Sequence, residues 1–346
     1  MLRCYFRRNM EREKYKSDNY SFACASMVCR EKYLLTQERI EKMLDSKTAD
    51  DAVKILLELD YGDGDENISA SAFEALLSRE LVKTYEIVLS MVPEQAYFEI
   101  FLYPNDYHNI KALLKAEFLG IDASELLIDA GTIPAASLTD MVRNRDYMGM
   151  REEMAHGVQD ALDVYAATQD PQAVDLIMDK ACYSDMSLLA AELNRSFIND
   201  YLALKIDVVN LITFIRAREM SKPRDFFAKI FIDSGNISDR IFLGGYDEPA
   251  EQFAEKLAVY GLKDVLLEGA HMIRETGRFT ALEKLCDNFL MSYMEEAKYF
   301  MSGIEPLIAY LTAKESEIKT VRIIMAGKLA GISSELIRER VRSTYV

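Results

Sequence analysis

The stretch Asp63-Gly64-Asp65-Glu66-Asn67, followed by Glu74, is the nearest this sequence comes to a ligating constellation. Counted from Asp63, side-chain oxygens fall at loop positions 1, 3 and 5 and a glutamate at position 12, the pattern by which a helix-loop-helix holds calcium. Position 6, where the sharp turn of such a loop needs Gly, is Ile68. The same residues read as an acidic, solvated loop ahead of a helix, with Ser71 and Glu74 forming a capping box. Other chemistries find less support. His108, His156 and His271 are far apart and HExxH is missing, so no zinc centre is expected. Neither Gly-rich nucleotide loop occurs, because Gly327-Lys328-Leu329 lacks both the upstream Gly and the following hydroxyl. GxSxG is missing too, and Asp50-Asp51 has no acid three residues on, as the aspartate-rich motif of all-α prenyl-diphosphate enzymes requires. The expectation is a chain without catalytic residues, metal or cofactor.

Basic residues are the next candidates. Lys115, Arg216, Arg218, Arg322 and Lys328 punctuate apolar helical stretches of a chain whose 41 Lys and Arg are outnumbered by 57 Asp and Glu, for a net charge of −16. One reading has them snorkelling or pairing with nearby acids such as Glu117, Glu219 and Glu317. The other has Arg216, Arg218, Arg322 and Lys328 facing a cavity or a partner helix, which makes them the candidate partner-binding set. The acidic balance argues against nucleic acid or an anionic lipid surface as the main partner, since phosphate binding needs a basic face.

The elements that carry these residues are helical and repeat. Asp106-Tyr107-His108-Asn109-Ile110 running to Ala116, Asp207-Val208-Val209-Asn210-Leu211 running to Ala217, and Glu317-Ile318-Lys319-Thr320-Val321 running to Gly327 share one pattern. An acid is followed by a small polar residue at +3, an aliphatic residue at +4 and Ala or Gly at +10. Gly131-Thr132-Ile133 is echoed by Gly235-Asn236-Ile237 behind the first two copies. Apolar residues at helical spacing run through Asp51–Leu59 and through Phe73, Leu76, Leu77 and Leu81. Breaks are expected near Pro104, Gly120, Gly131, Pro171, Pro223, Gly235, Gly244-Gly245 and Gly277, and Ser334–Arg342 reads as an amphipathic terminal helix. Strand signals are scarce, so the fold class is all-α. The repeat divides the chain into helical subdomains at 18–133, 134–237 and 238–346, with no flexible linker between them. Residues 1–17 are expected to form a disordered lead, with Met10 as an alternative start. Cys4, Cys24, Cys29, Cys182 and Cys286 show no CxxC spacing and read as buried free thiols in a reducing cytoplasm. No apolar run approaches the roughly 20 residues of a spanning helix, so a cytoplasmic protein is expected.

The C-terminal run Ile304-Glu305-Pro306-Leu307-Ile308-Ala309-Tyr310-Leu311, then Lys314–Ile324, Gly327–Ile332 and Ile337-Arg338-Glu339-Arg340-Val341-Arg342, resembles the end of the C subunit of A/V-type ATPases (ATP synthases), the family of the eukaryotic d subunit. Tyr107–Lys115 and Asp207–Leu211 with Arg216-Ala217-Arg218 carry the resemblance further. It implies a pseudo-threefold funnel of three similar helical subdomains. It implies a non-catalytic rotor subunit on the cytoplasmic face of the membrane. Its partners would be the central-shaft subunits and the membrane rotor ring, held through protein contacts, for transport of protons or sodium.

Overall fold

Caps and breakers in the sequence set the ends of the helices. The computed structural model describes residues 19–62 and 68–346; the anticipated lead at 1–17 and the acidic loop 63–67, with its calcium reading, lie outside the described residues. Helix α1 is Ser21–Glu31, α2 Gln37–Asp45 and α3 Ala49–Leu57. Thr36 and Thr48 cap α2 and α3 by accepting the N–H of Arg39 and of Asp51, each satisfying an amide that a helix start leaves unpaired. Helix α4 is Phe73–Leu89. The capping box expected between Ser71 and Glu74 does not form. A 3-10 turn, Ala70–Ala72, leads into α4, Ala72 caps without a side-chain bond, and Glu74 pairs with Arg322.

Next come α5 (Ala96–Glu99) and α6 (Tyr103–Leu119), with Pro104 in the first turn, where its missing N–H goes unnoticed. Then follow α7 (Ala135–Asn144), α8 (Glu152–Thr168), α9 (Pro171–Leu193), α10 (Ser196–Glu219) and α11 (Arg224–Ile230). The remaining helices are α12 (Asp239–Gly244), α13 (Ala250–Leu257), α14 (Lys263–Thr276), α15 (Thr280–Glu295), α16 (Glu305–Leu329) and α17 (Ser334–Arg338). No strand occurs among the described residues, and the fold is all-α. The terminal helix stops at Arg338, earlier than its amphipathic pattern predicts, while Ile337 and Val341 are both buried. Among the described residues, no helix is long and apolar enough to cross a membrane. Cys24, Cys182 and Cys286 are buried, unbridged thiols and Cys29 is exposed.

The helices gather into two compact units. One joins the chain up to Gln95 with Leu257–Val346. Its core sets Ile40, Met43, Leu44, Leu56, Leu76 and Leu77 of α2–α4 against Ile318, Val321, Ile324 and Met325 of α16, with Ile337 from α17. The other unit is the continuous stretch Ala96–Lys256. In it, α8 and α9 form a close hairpin, because a Cβ on Gly157 would stand only 2.7 Å from that of Ala181. Around Phe214 of α10, the rings of Phe227, Phe242, Tyr246 and Phe253 lie with centroids 5.3, 5.4, 5.5 and 4.6 Å away, an aromatic core of two edge-to-face pairs, one tilted and one stacked.

Candidate functional site

Each copy of the recurrent segment lies on a long helix, α6, α10 or α16, and its acid is turned inward. Asp106 and Asp207 are fully buried and Glu317 nearly so. A buried carboxylate is tolerated only where donors meet it, and in all three copies one donor is a backbone amide in the lead-in to a short helix. Asp106 accepts from the Thr132 hydroxyl at 2.5 Å and the Ile133 amide at 3.2 Å. Asp207 accepts from the Asn236 amide and side chain at 3.1 and 3.0 Å and the Ile237 amide at 2.9 Å. Glu317 accepts from the Leu35 amide and the Tyr61 hydroxyl, both at 2.5 Å, and from Lys314 at 2.8 Å. The register is the same each time. Ile133, Ile237 and Leu35 are each followed by one capping residue, Pro134, Ser238 or Thr36, and then by the first residue of α7, α12 or α2.

The +3 residue adds a second clamp in two copies. Asn109 donates to the Ile128 carbonyl and accepts from its amide, both at 2.8 Å. Asn210 does the same to Ile232 at 2.8 and 3.0 Å. Only a side-chain amide can mirror a backbone N–H and C=O in this way; the third copy carries Thr320, which cannot. The small +10 residue has its own purpose. Gly120, Ser221 and Gly331 take left-handed backbone angles (φ 67°, 53° and 68°). The next amide in each case bonds back to the +10 carbonyl: Ile121 to Ala116, Lys222 to Ala217 and Ile332 to Gly327, all at 2.9 Å. This is the Schellman closure of a helix, built identically three times.

Electrostatic surroundings differ between the copies. In the first, Arg151 reaches both Asp106 and Asp185, donates to Thr132, and lies 3.6 Å above the Tyr103 ring. Burial raises the Asp106 pKa, opposed by Thr132, Ile133 and Arg151. In the third, Lys314 is sealed between Glu317 and Glu80 at 2.8 and 2.9 Å and lies 4.4 Å over the Tyr61 ring. Burial works against that ammonium, but Glu317 and Glu80 outweigh it and hold its pKa above the ordinary value. Among the described residues, no cation accompanies the acid of the second copy. Burial alone raises Asp207, to about 6, against the hydrogen bonds from Ile237 and Asn236. These groups bind one another and, apart from the half-buried Arg151, are sealed from water, an arrangement suited to holding helices in register. Among the described residues, no group of three His, Cys, Asp or Glu could hold a metal ion.

A family model described as ATP synthase (C/AC39) subunit matches residues 23–340. The chain belongs to that family. All three clamps and all three helix ends lie inside the matched span. Similar proteins include the C subunit of the V-type sodium ATPase of Enterococcus hirae, 25% identical over 91% of this chain and 96% of its own length. The C subunit of the A-type ATP synthase of Methanocaldococcus jannaschii is 23% identical over 92% and 85%. The C subunit of the V-type ATP synthase of Thermus thermophilus is 25% identical over 94% and 99%. This C/AC39 chain is accordingly an accessory, non-catalytic subunit of a rotary ATPase, with partners inside that complex.

The candidate basic residues of this C/AC39 protein fall on two helices. Arg216 and Arg218 are on α10, Arg216 exposed and Arg218 donating to the Glu248 carbonyl at 2.6 Å while lying 5.2 Å from the centroid of the Phe214 ring. Arg322 and Lys328 are on α16. Arg322 meets both oxygens of Glu74 at 3.1 and 3.0 Å. Lys328 donates to the carbonyls of Leu44 and Ser46 at 2.9 and 2.7 Å, acceptors that the C-terminal end of α2 leaves without a partner inside the helix. Sequence reasoning missed Arg151, Asp185, Glu80, Lys314 and Tyr61. A signal existed for one of them: Lys314 precedes Glu317 by one helical turn on a helix that is otherwise apolar at these positions.

Proposed function

We propose that the chain is the central-stalk rotor subunit of an A/V-type ATPase, joining the central-shaft subunits to the membrane rotor ring and transmitting torque for proton or sodium transport. The observation that carries this reading is the threefold repetition of one clamped joint, in which the third acid reaches back to Leu35. Internal repetition of this kind supports three similar subdomains, 18–133, 134–237 and 238–346, in the pseudo-threefold funnel the family resemblance implies. A part that transmits torque must resist local opening, and side chains that clamp buried backbone amides oppose it. The protein sits at the inner face of the cell membrane, held by protein contacts.

Arg216, Arg218, Arg322 and Lys328 form the proposed docking set. Arg216, which is exposed, and Arg322, whose side chain is 43% exposed, contribute most of it. The test is reconstitution. Complexes assembled without this chain should hydrolyse ATP without moving ions, and adding it back should restore the coupling. Failure of the purified chain to bind either shaft or ring would overturn the assignment. Replacing the four basic residues with Ala should weaken that binding without unfolding the chain.

A further inference from the structure

Behind each long helix the chain crosses the same place, and in two copies it fills that place with a helix of its own. After α10, helix α11 inserts Phe227, fully buried, against Phe214, the +7 residue of the repeat. After α16, helix α17 lays Ile337 over Gly327, the +10 residue, so closely that a Cβ there would stand 2.7 Å from it. The far wall is the short helix that follows the joint. Ser334 of α17 donates to the Leu44 carbonyl at 2.7 Å, and Arg338 pairs with Glu41 and Asp45 at 2.9 and 3.2 Å.

The first copy has no such helix. After α6 comes only the 3-10 turn Ser124–Leu126, which buries none of its residues and leaves Leu126 51% exposed. At this position a groove of about 570 Å3 lies open. Its floor includes Leu113 and Ala116, the +7 and +10 residues, and its far wall is Thr139, Val142 and Arg143 of α7. Counted from the clamped residues Ile133 and Leu35, these three stand where Glu41, Leu44 and Asp45 stand in α2. The groove is therefore the counterpart of two sites that the fold fills with a short amphipathic helix.

We propose that this groove receives a short amphipathic helix from another protein chain, with one aliphatic or aromatic anchor resting on Leu113 and Ala116. Charge fixes the polar end of the occupant. Where Arg338 meets Asp45 in the filled site, the open site presents Arg143, so the incoming helix carries an acid there instead of a base. Of the acids that line the groove, Asp122 on the facing lip is engaged by Ser124 at 2.6 Å while feeling the charge of Arg143, and Glu117 pairs with Arg145. Docking of an apolar helix face into such a groove is an established mode of recognition, and the volume is that of a site for several side chains. The inference rests on membership of a complex and not on torque transmission, so either can fail without the other.

The test places a photoreactive benzoyl-phenylalanine at Ile121, which lines the groove, and in a second protein at Leu188, an exposed site on α9 of the same unit. Both proteins are taken in the whole ATPase complex and the cross-linked peptides identified. The expected result is one peptide of another protein of the complex, amphipathic and bearing Asp or Glu, from position 121 and not from 188. Thr139→Asp with Arg143→Glu should weaken binding of that protein by about tenfold or more, on the scale of one lost buried anchor, while the isolated chain unfolds at an unchanged temperature. A cross-link to residues 1–18 of this chain, to a second copy of it, or to nothing at all would overturn the proposal.

Discussion

Asp106, Asp207 and Glu317 perform one task in different electrostatic company, and their behaviour with pH should separate them. Asp207 has hydrogen-bond donors but no cation among the described residues, and burial lifts its pKa from 3.8 to about 6. A carboxyl whose pKa is raised by folding favours the folded state when protonated. That contribution is fully present below the unfolded value of 3.8 and is lost as pH rises through about 6. The difference is worth at most about 3 kcal/mol. The carboxyl carbon of Asp207 should therefore titrate near 6 by NMR, its signal assigned by its loss in Asp207→Asn, and a midpoint near the ordinary value would contradict this account. Lys314 is the opposite case, a buried ammonium between two buried carboxylates. Removing it as Lys314→Met takes away the cation that Glu80 and Glu317 share, and the cost should be about 3–5 kcal/mol at neutral pH. Denaturant unfolding reads this directly. The deficit should shrink as acid protonates Glu80, whose pKa burial has already raised against Lys314.

At the scale of elements, the glycines of the Gly-X-Ile echo exist because a carboxylate occupies the space of a side chain. A Cβ on Gly131 would stand 2.0 Å from an Asp106 oxygen, and one on Gly235 would stand 2.4 Å from an Asp207 oxygen. Either Gly→Ala change must push the loop off its clamp and should cost about 1–3 kcal/mol, the usual range for overpacking. Gly244, with nothing within 4 Å, should accept Ala at little cost and serves as the control. Equal losses at all three positions in thermal unfolding would show that the clamp is not the reason. Much of this element was legible in the sequence. The acid, the small polar +3 residue and the small +10 residue were visible as a recurrence; the acid is now explained by its clamp in all three copies and the +3 residue by its hydrogen bonds in the two that carry Asn. The left-handed closure went unseen because its three residues are Gly120, Ser221 and Gly331, and a serine at φ 53° does not announce itself. Glu74 misled because its charge suits a capping box and an ion pair with Arg322 equally well, and only tertiary packing decides between them. The partners of Arg218 and Lys328 are carbonyls of distant segments, which spacing cannot encode.

For the molecule as a whole, the third joint differs from the others in reach. The amides clamped by Asp106 and Asp207 lie 27 and 30 residues away in the chain, whereas Leu35 lies 282 residues from Glu317. Closing a loop some ten times longer costs about 2 kcal/mol more in chain entropy, and no local motif could have foretold it. Such a contact survives because one core, from Leu35 to Val341, grips both segments of its unit. The chain should then behave as two cooperative blocks, not one. With Lys314→Met, hydrogen exchange should accelerate throughout 19–95 and 257–346, including the Leu35 amide. The amides of Ile133 and Ile237, inside Ala96–Lys256, should keep their protection, because opening propagates within a cooperative unit and stops at its edge. Acceleration spread evenly over all three joints would mean instead that the chain opens as a single block, and that the long-range clamp stabilises the other two as well as its own.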